Sequence, residues 1–369
     1  MNHNNENQEE NGNDGDVAPE HLLTEAVNRF RQGEYSKALE LFDQAISLSP
    51  DSARAWNGRG AVLGNLGYFA GALEACDTAV AMDPGYFKAW SNRGWVLGHL
   101  GRNLEALESF DRAICLRPEF AEAWYLRGWV LASLGRYPDA LESCDKAVSF
   151  NPEDIEAWNM RGNVLAACRR YDDALLSYDR IIAIDSGISG AWFNRGNMLA
   201  ALGREEEALA AYDQAIALSP RYAEAHNNRG NSCMALGRPA DAAASFFSAV
   251  SLRPDYAGAW YNHGYALSEL GRHEDAIVSY DAAIRQRPAY ADAWYNQGVA
   301  LAALGRPEEA IASYDQVIAI SPDDAGAWKA RGNALKCLGR DEEAAVSHER
   351  AAAISAGIEA RPDDPGNHR

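Results

Sequence analysis

The sequence predicts an all-α fold, an α-solenoid of ten helical hairpins, and three recurring features predict it. Tryptophan returns every 34 residues at Trp56, Trp90, Trp124, Trp158 and Trp192, then at Trp260, Trp294 and Trp328. With each unit numbered from three residues before that tryptophan, position 8 is glycine in every unit but the first, from Gly60 and Gly94 to Gly298 and Gly332. Position 20 is alanine throughout, from Ala38 to Ala344, position 15 is glycine in nine units, and position 32 is proline in eight. A period of this length means small units that bury their apolar faces only against their neighbours.

Each element of a unit follows from these residues. The glycine at position 8 and the alanine at position 20 let two helices approach closely. The glycine at position 15 supplies the positive φ that ends the first helix, and the proline stops the second and opens the next unit. The units therefore span 19–52, 53–86, 87–120, 121–154, 155–188, 189–222, 223–256, 257–290, 291–324 and 325–358. Before them lies a segment, 1–18, in which Glu6, Glu9, Glu10, Asp14 and Asp16 sit among asparagines without a Lys or Arg, so disorder is expected there. After them comes a short tail, 359–369.

This pattern resembles the tetratricopeptide repeat family, whose signature of W, L-G, Y, A, F and P at set offsets it matches over residues 19 to 358. The resemblance implies a right-handed superhelix whose concave groove is lined by the first helix of each hairpin, and it implies protein binding without catalysis. Composition agrees. The net charge of -19 argues against nucleic acid. No apolar run nears 18 residues and no basic-then-apolar leader is present, so a cytoplasmic protein that neither spans nor enters a membrane is expected. The six cysteines form no C-x-x-C pair and read as buried small hydrophobes, not as metal ligands or disulfides. No cofactor is implied, and no nucleophile, base and orienter combination, phosphate loop or metal motif suggests an enzyme.

Helix geometry, at about 100° per residue, gathers positions 4, 7, 8 and 11 on the packed side and spreads 2, 5, 6, 9, 12 and 13 over the opposite arc. That arc is the expected groove. Near its start it carries Arg54, Lys88 and His99 with Trp95, Trp129 and Tyr125. In the middle it carries an amide row of Asn159, Asn163, Asn194, Asn197, Asn227, Asn228, Asn231 and Asn262, and farther on Phe193, Tyr261, Tyr265, Tyr295 and Asn296. An asparagine offers one acceptor and two donors, so a row of them can satisfy the backbone of an extended peptide without reading its side chains, while aromatic neighbours add apolar area. The row is similar to the inner surface of the superhelical repeat arm of the O-linked N-acetylglucosamine transferase family; nothing resembles that family's transferase domain. Repeat domains that clamp acidic chaperone tails are a poorer match, since only Lys329 and Asn333 meet the first step of that pattern.

The expected function is thus a scaffold that binds a protein or peptide partner in extended conformation. The alternative is a structural self-assembly module, a homo-oligomer formed through the last hairpin near Ala345, Ala352 and Ile354. Two further expectations concern stability. Position 7 is arginine in seven units, and position 25 of the preceding unit is aspartate each time, from Asp43 with Arg59 to Asp315 with Arg331; where position 25 becomes Phe247, position 7 becomes His263. An Arg–Asp ladder between successive units is therefore expected, with a cost of a few kcal/mol on removing one partner. The unit 155–188 has Arg169 at the turn glycine and Ser186 at the terminal proline, so a looser loop is expected there. His226, in the tryptophan position of its unit, reads as a packed histidine.

Overall fold

A computed structural model describes residues 19–357, so the expectations for the acidic segment 1–18 and the tail 359–369 lie outside the described residues. The described chain contains twenty α-helices and divides into two compact units at Arg170. The first unit holds α1 (Pro19–Arg31), α2 (Tyr35–Leu48), α3 (Ala53–Asn65), α4 (Phe69–Met82), α5 (Phe87–His99), α6 (Asn103–Leu116), α7 (Ala121–Ser133), α8 (Tyr137–Phe150) and α9 (Ile155–Ala167). The second holds α10 (Tyr171–Ile184), α11 (Ser189–Ala201), α12 (Glu205–Leu218), α13 (Ala223–Ala235), α14 (Pro239–Leu252), α15 (Ala257–Glu269), α16 (His273–Gln286), α17 (Ala291–Ala303), α18 (Pro307–Ile320), α19 (Ala325–Cys337) and α20 (Asp341–Ser355). Odd-numbered helices are the first helices of the hairpins. Within each unit every helix packs on the next, and consecutive first helices also touch, as in α3 with α5 and α13 with α15. Consecutive second helices make no comparable contact among the described residues, so the first helices occupy the inner side of each stack.

The turn residues behave as the sequence requires. Gly67, Gly101 and their counterparts take φ between 69° and 82°, which a side chain adopts only at a cost. The following N–H reaches back to close the helix, as when Tyr68 N donates to Leu63 O at 2.9 Å. Arg169 adopts φ 58° and keeps the same closure, with Arg170 N donating to Leu165 O at 2.9 Å. The expected loosening is therefore not expressed in this turn: a left-handed arginine holds it. Nor is it expressed in the loop after α10, where Gly187 N donates to Asp185 Oδ1 at 2.8 Å and Trp192 Nε1 to Ser186 O at 3.0 Å, as Gly85 and Trp90 do with Asp83 and Pro84. A serine carbonyl serves as well as a proline carbonyl.

That last bond explains the tryptophan period. Each indole N–H donates to the carbonyl six residues earlier, from Trp56 to Pro50 O (2.9 Å) through Trp328 to Pro322 O (3.0 Å). His226 keeps the bond through Nε2 to Pro220 O at 3.1 Å, so it packs and bonds as an indole would. The glycine at position 8 makes room for a side chain rather than for backbone alone. A Cβ on Gly196 would lie 2.6 Å from the ring of Tyr212, and one on Gly230 would lie 2.5 Å from that of Phe246. In the second and fourth repeats that side chain is Cys76 or Cys144, both buried. Cys233 is also buried, but Cys115, Cys168 and Cys337 are exposed, which corrects the uniform burial expected of the cysteines. Cys115 lies on α6, Cys337 ends α19 and Cys168 caps α9, each where a small side chain meets solvent.

All seven Arg–Asp pairs form, with N–O distances of 2.6–2.8 Å, and each ties a second helix to the first helix of the next hairpin. Gln297 Nε2 replaces the guanidinium and donates to Asp281. The arginines are mostly covered and the aspartates about half exposed, as in Arg127 (23%) with Asp111 (58%). Several arginines also donate to a buried serine, as Arg93 Nη1 does to Ser109 Oγ at 2.7 Å. The ladder is thus sided: a covered cation with two partners, against an anion that water still reaches.

Candidate functional site

The inner side of the second unit carries a connected row of amides. Asn197 Oδ1 accepts from Tyr212 Oη and from Asn228 Nδ2, both at 2.9 Å. Asn228 Oδ1 accepts from Asn227 Nδ2 at 3.1 Å, and Asn262 Nδ2 donates to Asn227 Oδ1 (3.1 Å) and Asn231 Oδ1 (3.2 Å). Farther along, Asn296 Nδ2 donates to Tyr261 Oη at 3.0 Å. The direction is constant: an amide at position 6 donates back to position 5 or 9 of the preceding repeat. Exchanging O and N in Asn227, Asn228 or Asn262 alone would set donor against donor or acceptor against acceptor, so the amides from Asn197 to Asn262 share one direction, whereas Asn296 meets a hydroxyl that can donate or accept.

The network divides the predicted residues by role. Asn227 is buried at 6% exposure, so it holds Asn228 and Asn262 in place and is not itself an open contact. Asn231 and Tyr265 are exposed, while Asn197, Asn228, Asn262 and Asn296 are half-buried. The groups the network leaves over are the Nδ2 amines of Asn197 and Asn231 and the Oδ1 atoms of Asn262 and Asn296. A hollow of about 250 Å³ lined by Asn197, Asn228, Asn231 and Tyr212 opens beside the first of these. Asn194 sits half-buried on α11. Phe193, Tyr261 and Tyr295 are half-buried and lean on tyrosines of their own or the next helix pair, with ring centroids 4.8 Å apart for Phe193–Tyr222 and 5.1 Å for Tyr261–Tyr290. They wall the row and are partly consumed by packing. Burial raises the Tyr261 phenol above its ordinary value, so it stays protonated and can accept from Asn296.

In the first unit the predicted aromatics form a cluster. His99 lies 5.1 Å from Phe69, 4.6 Å from Trp95 and 5.2 Å from Trp129, ring to ring. Trp95 and Trp129 rest on Gly64 and Gly98 of the preceding first helices, where a Cβ would approach within 2.4 and 2.7 Å. Both tryptophans therefore pack between repeats, and the glycines at position 12 are the sequence signal for it. Tyr125 is half-buried against Val148 and Ala157. Asn159 (half-buried) and Asn163 (exposed) lie on α9. The sequence reading missed one amide pair here: Asn92 Nδ2 donates to Asn57 Oδ1 at 2.8 Å, with the same 35-residue spacing as Asn262 and Asn227. A hollow of about 390 Å³ runs past this pair, between Lys88, Trp95 and Phe120.

Among the described residues no group of three or more His, Cys, Asp or Glu could hold a metal ion, and no helix is long and apolar enough to cross a membrane. Against known proteins, the tetratricopeptide repeat matches residues 23–87, 91–155 and 261–325, with further repeat matches at 143–175 and 196–237. The chain belongs to the tetratricopeptide repeat family. No curated protein sequence matches it. Similar solved structures include the C-terminal part of a TPR repeat-containing protein from Cytophaga hutchinsonii, with 16% identity over 65% of this chain and 98% of that one and a TM-score of 0.54. PilW, a type IV pilus biogenesis factor, is 20% identical over 57% and 97% of the two chains with a TM-score of 0.52. YrrB, a TPR protein with an unusual peptide-binding site, is 27% identical over 51% and 96% with a TM-score of 0.46. At these identities the first two share the helical-hairpin fold, and this tetratricopeptide repeat chain is a scaffold of the protein-binding kind.

Proposed function

We propose that the chain holds an extended segment of a partner protein along its first-helix side, through backbone hydrogen bonds to the amide row. One observation carries the reading: the bonded row leaves donors at Asn197 and Asn231 and an acceptor at Asn262, held in a shared direction by the bonds between them, and Asn296 continues the row beside Tyr261. Preorganised groups of both kinds suit a peptide backbone, whose N–H and C=O both require partners, and little side-chain entropy remains to be lost on binding. The similarity of this row to the repeat arm of O-linked N-acetylglucosamine transferases points the same way. Phe193, Tyr261, Tyr265 and Tyr295 supply apolar contact in the second unit, and in the first unit Trp95, Trp129 and Tyr125 do so on its own first-helix side. Asn194 and Asn228 belong to the surface of the second unit, which Asn227 supports from beneath, and Asn159 and Asn163 belong to that of the first. The thiols of Cys115, Cys168 and Cys337, exposed and unbridged, fit the reducing cytoplasm.

The test is selection of extended peptides from a displayed library, followed by titration against the whole chain. Asn197→Ala, Asn231→Ala and Asn262→Ala together are expected to weaken binding at least thirtyfold, with helix content and mass unchanged. Retention of affinity within twofold would sink the reading. A concentration-dependent mass that responds to changes at Ala345, Ala352 and Ile354, with peptide binding absent, would favour the self-assembly module instead.

A further inference from the structure

The ladder is broken at one step, and the break leaves a hollow on the second-helix side of the second unit. At the other steps there an acid faces position 7: Asp179, Asp213, Asp281 and Asp315 meet Arg195, Arg229, Gln297 and Arg331. At the remaining step Phe247 faces His263, their rings 5.7 Å apart. The shorter imidazole does not fill the space a guanidinium takes elsewhere, and a hollow of about 560 Å³ opens between α14 and α16 with Trp260 and Leu267 at its base. Its mouth is apolar: Phe247 is 57% exposed and Val278 63%. The exposure of Phe247 is not needed for folding, since the repeats on either side solve the same step with an ion pair or a charged hydrogen bond.

His263 lines this space, and its hydrogen bond settles which ring nitrogen carries the proton. Ser279 Oγ donates to Asp275 O at 3.1 Å, so toward His263 Nδ1, 2.9 Å away, it accepts. The imidazole is then protonated at Nδ1, and Nε2 carries a lone pair with no hydrogen-bond partner among the described residues. Burial pushes the His263 pKa down to about 4, so the ring is neutral under ordinary conditions. The hollow thus presents an apolar wall, the His263 acceptor, and a pair of opposite charges, Arg272 and Asp275, that bond each other at 2.6 Å.

We propose that this hollow is a second docking site, opposite the amide row, and that it receives the indole of a tryptophan from an uncharged segment of a partner protein. An indole matches because its N–H donates only, against an acceptor that cannot donate, and because its ring area suits the apolar wall. The segment is uncharged because the two charges of the hollow already bond each other. It extends past the indole because Phe247 and Val278 continue the apolar surface beyond the mouth, farther than a free small molecule would cover. A second copy of this chain is a poor occupant, since both copies would carry a net charge of -19.

The test uses the full chain labelled with ¹⁵N-histidine and three probes: acetyl-Ala-Leu-Trp-Leu-Ala-amide, the same peptide with 1-methyltryptophan, and N-acetyltryptophanamide. The first is expected to shift the His263 Nε2 resonance saturably. The methylated peptide, which lacks the donor, is expected to bind at least tenfold more weakly, and the amide alone likewise. The double variant Phe247→Asp with His263→Arg restores the pair used at the other steps, so it is expected to fold at least as well and to lose the peptide. Absence of a saturable shift, equal affinity of the methylated peptide or of the free amide, or retained binding by the double variant would each overturn the proposal. The triple asparagine variant is expected to leave this binding unchanged, which separates the two sites.

Discussion

Arg127 and Asp111 form one step of the ladder, and the two partners should not cost the same to remove. Arg127 Nε donates to Asp111 Oδ1 at 2.8 Å, its Nη1 donates to the buried Ser143 Oγ at 2.8 Å, and its guanidinium lies 5.9 Å from the Trp124 ring centre. Arg127→Ala removes all three. A charge-assisted bond to a buried hydroxyl contributes about 1.5–3 kcal/mol, a half-exposed ion pair about 0.2–1, and the ring contact about 0.5, with some of each recovered by water, so roughly 2–3 kcal/mol is expected. Asp111→Ala removes only the water-reached ion pair and leaves Arg127 on Ser143 and Trp124, so it should cost less than about 1 kcal/mol. This revises the expectation that either partner of a half-buried pair is costly to lose. Because a repeat stack need not unfold as one unit, the assay is native-state hydrogen exchange, read helix by helix. Arg127→Ala should lower amide protection in α6, α7 and α8 by about 30- to 150-fold, and Asp111→Ala by less than about fivefold. Equal losses for the two variants would refute the sided ladder.

Three further outcomes follow from the structure. Arg169→Gly removes a side chain from a left-handed turn and should raise protection in α9 by about 1 kcal/mol; no change would show that φ 58° is unstrained there. Gly196→Ala puts a Cβ 2.6 Å from Tyr212 and should destabilise α11 and α12 by about 1–3 kcal/mol in urea titration, whereas a neutral result would mean the ring yields freely. His263 has its folded pKa depressed from 6.5 to about 4 by burial, with Arg272 lowering it and Asp275 opposing. Its contribution is therefore present above pH 6.5 and lost as pH falls toward 4, on the order of 3 kcal/mol, and the difference between the chain and His263→Gln should follow that window. A difference constant with pH would contradict the assignment.

The hairpins and the ladder were legible because both are coded by residue identity at a fixed offset. A tryptophan that bonds the carbonyl six residues before it, and an arginine sixteen after its aspartate, reveal themselves in any aligned copy. The amide row was legible as a surface but not as a network. Its bonds join residues 31 and 35 apart on consecutive first helices, and which amides meet depends on how far one helix is set against the next. Burial of Asn227 follows from that setting, since the same position carries Ser91, Tyr125 or Lys329 in other repeats without a shared fate. Trp95 and Trp129 read as surplus aromatic surface because the partner of each, Gly64 or Gly98, is an absence of side chain. The turn at Arg169 misled for a related reason: a residue with poor left-handed propensity was overruled by two backbone hydrogen bonds and the helices they join.

Side-chain amide NMR of the whole chain during titration with a selected extended peptide tests the amide row most directly. The Nδ2 signals of Asn197 and Asn231 should shift and gain protection from solvent exchange, while those of Asn227, already committed to Asn228, should stay in place. Shifts confined to residues off the first helices, or a released Asn227 with unmoved Asn197 and Asn231, would contradict it.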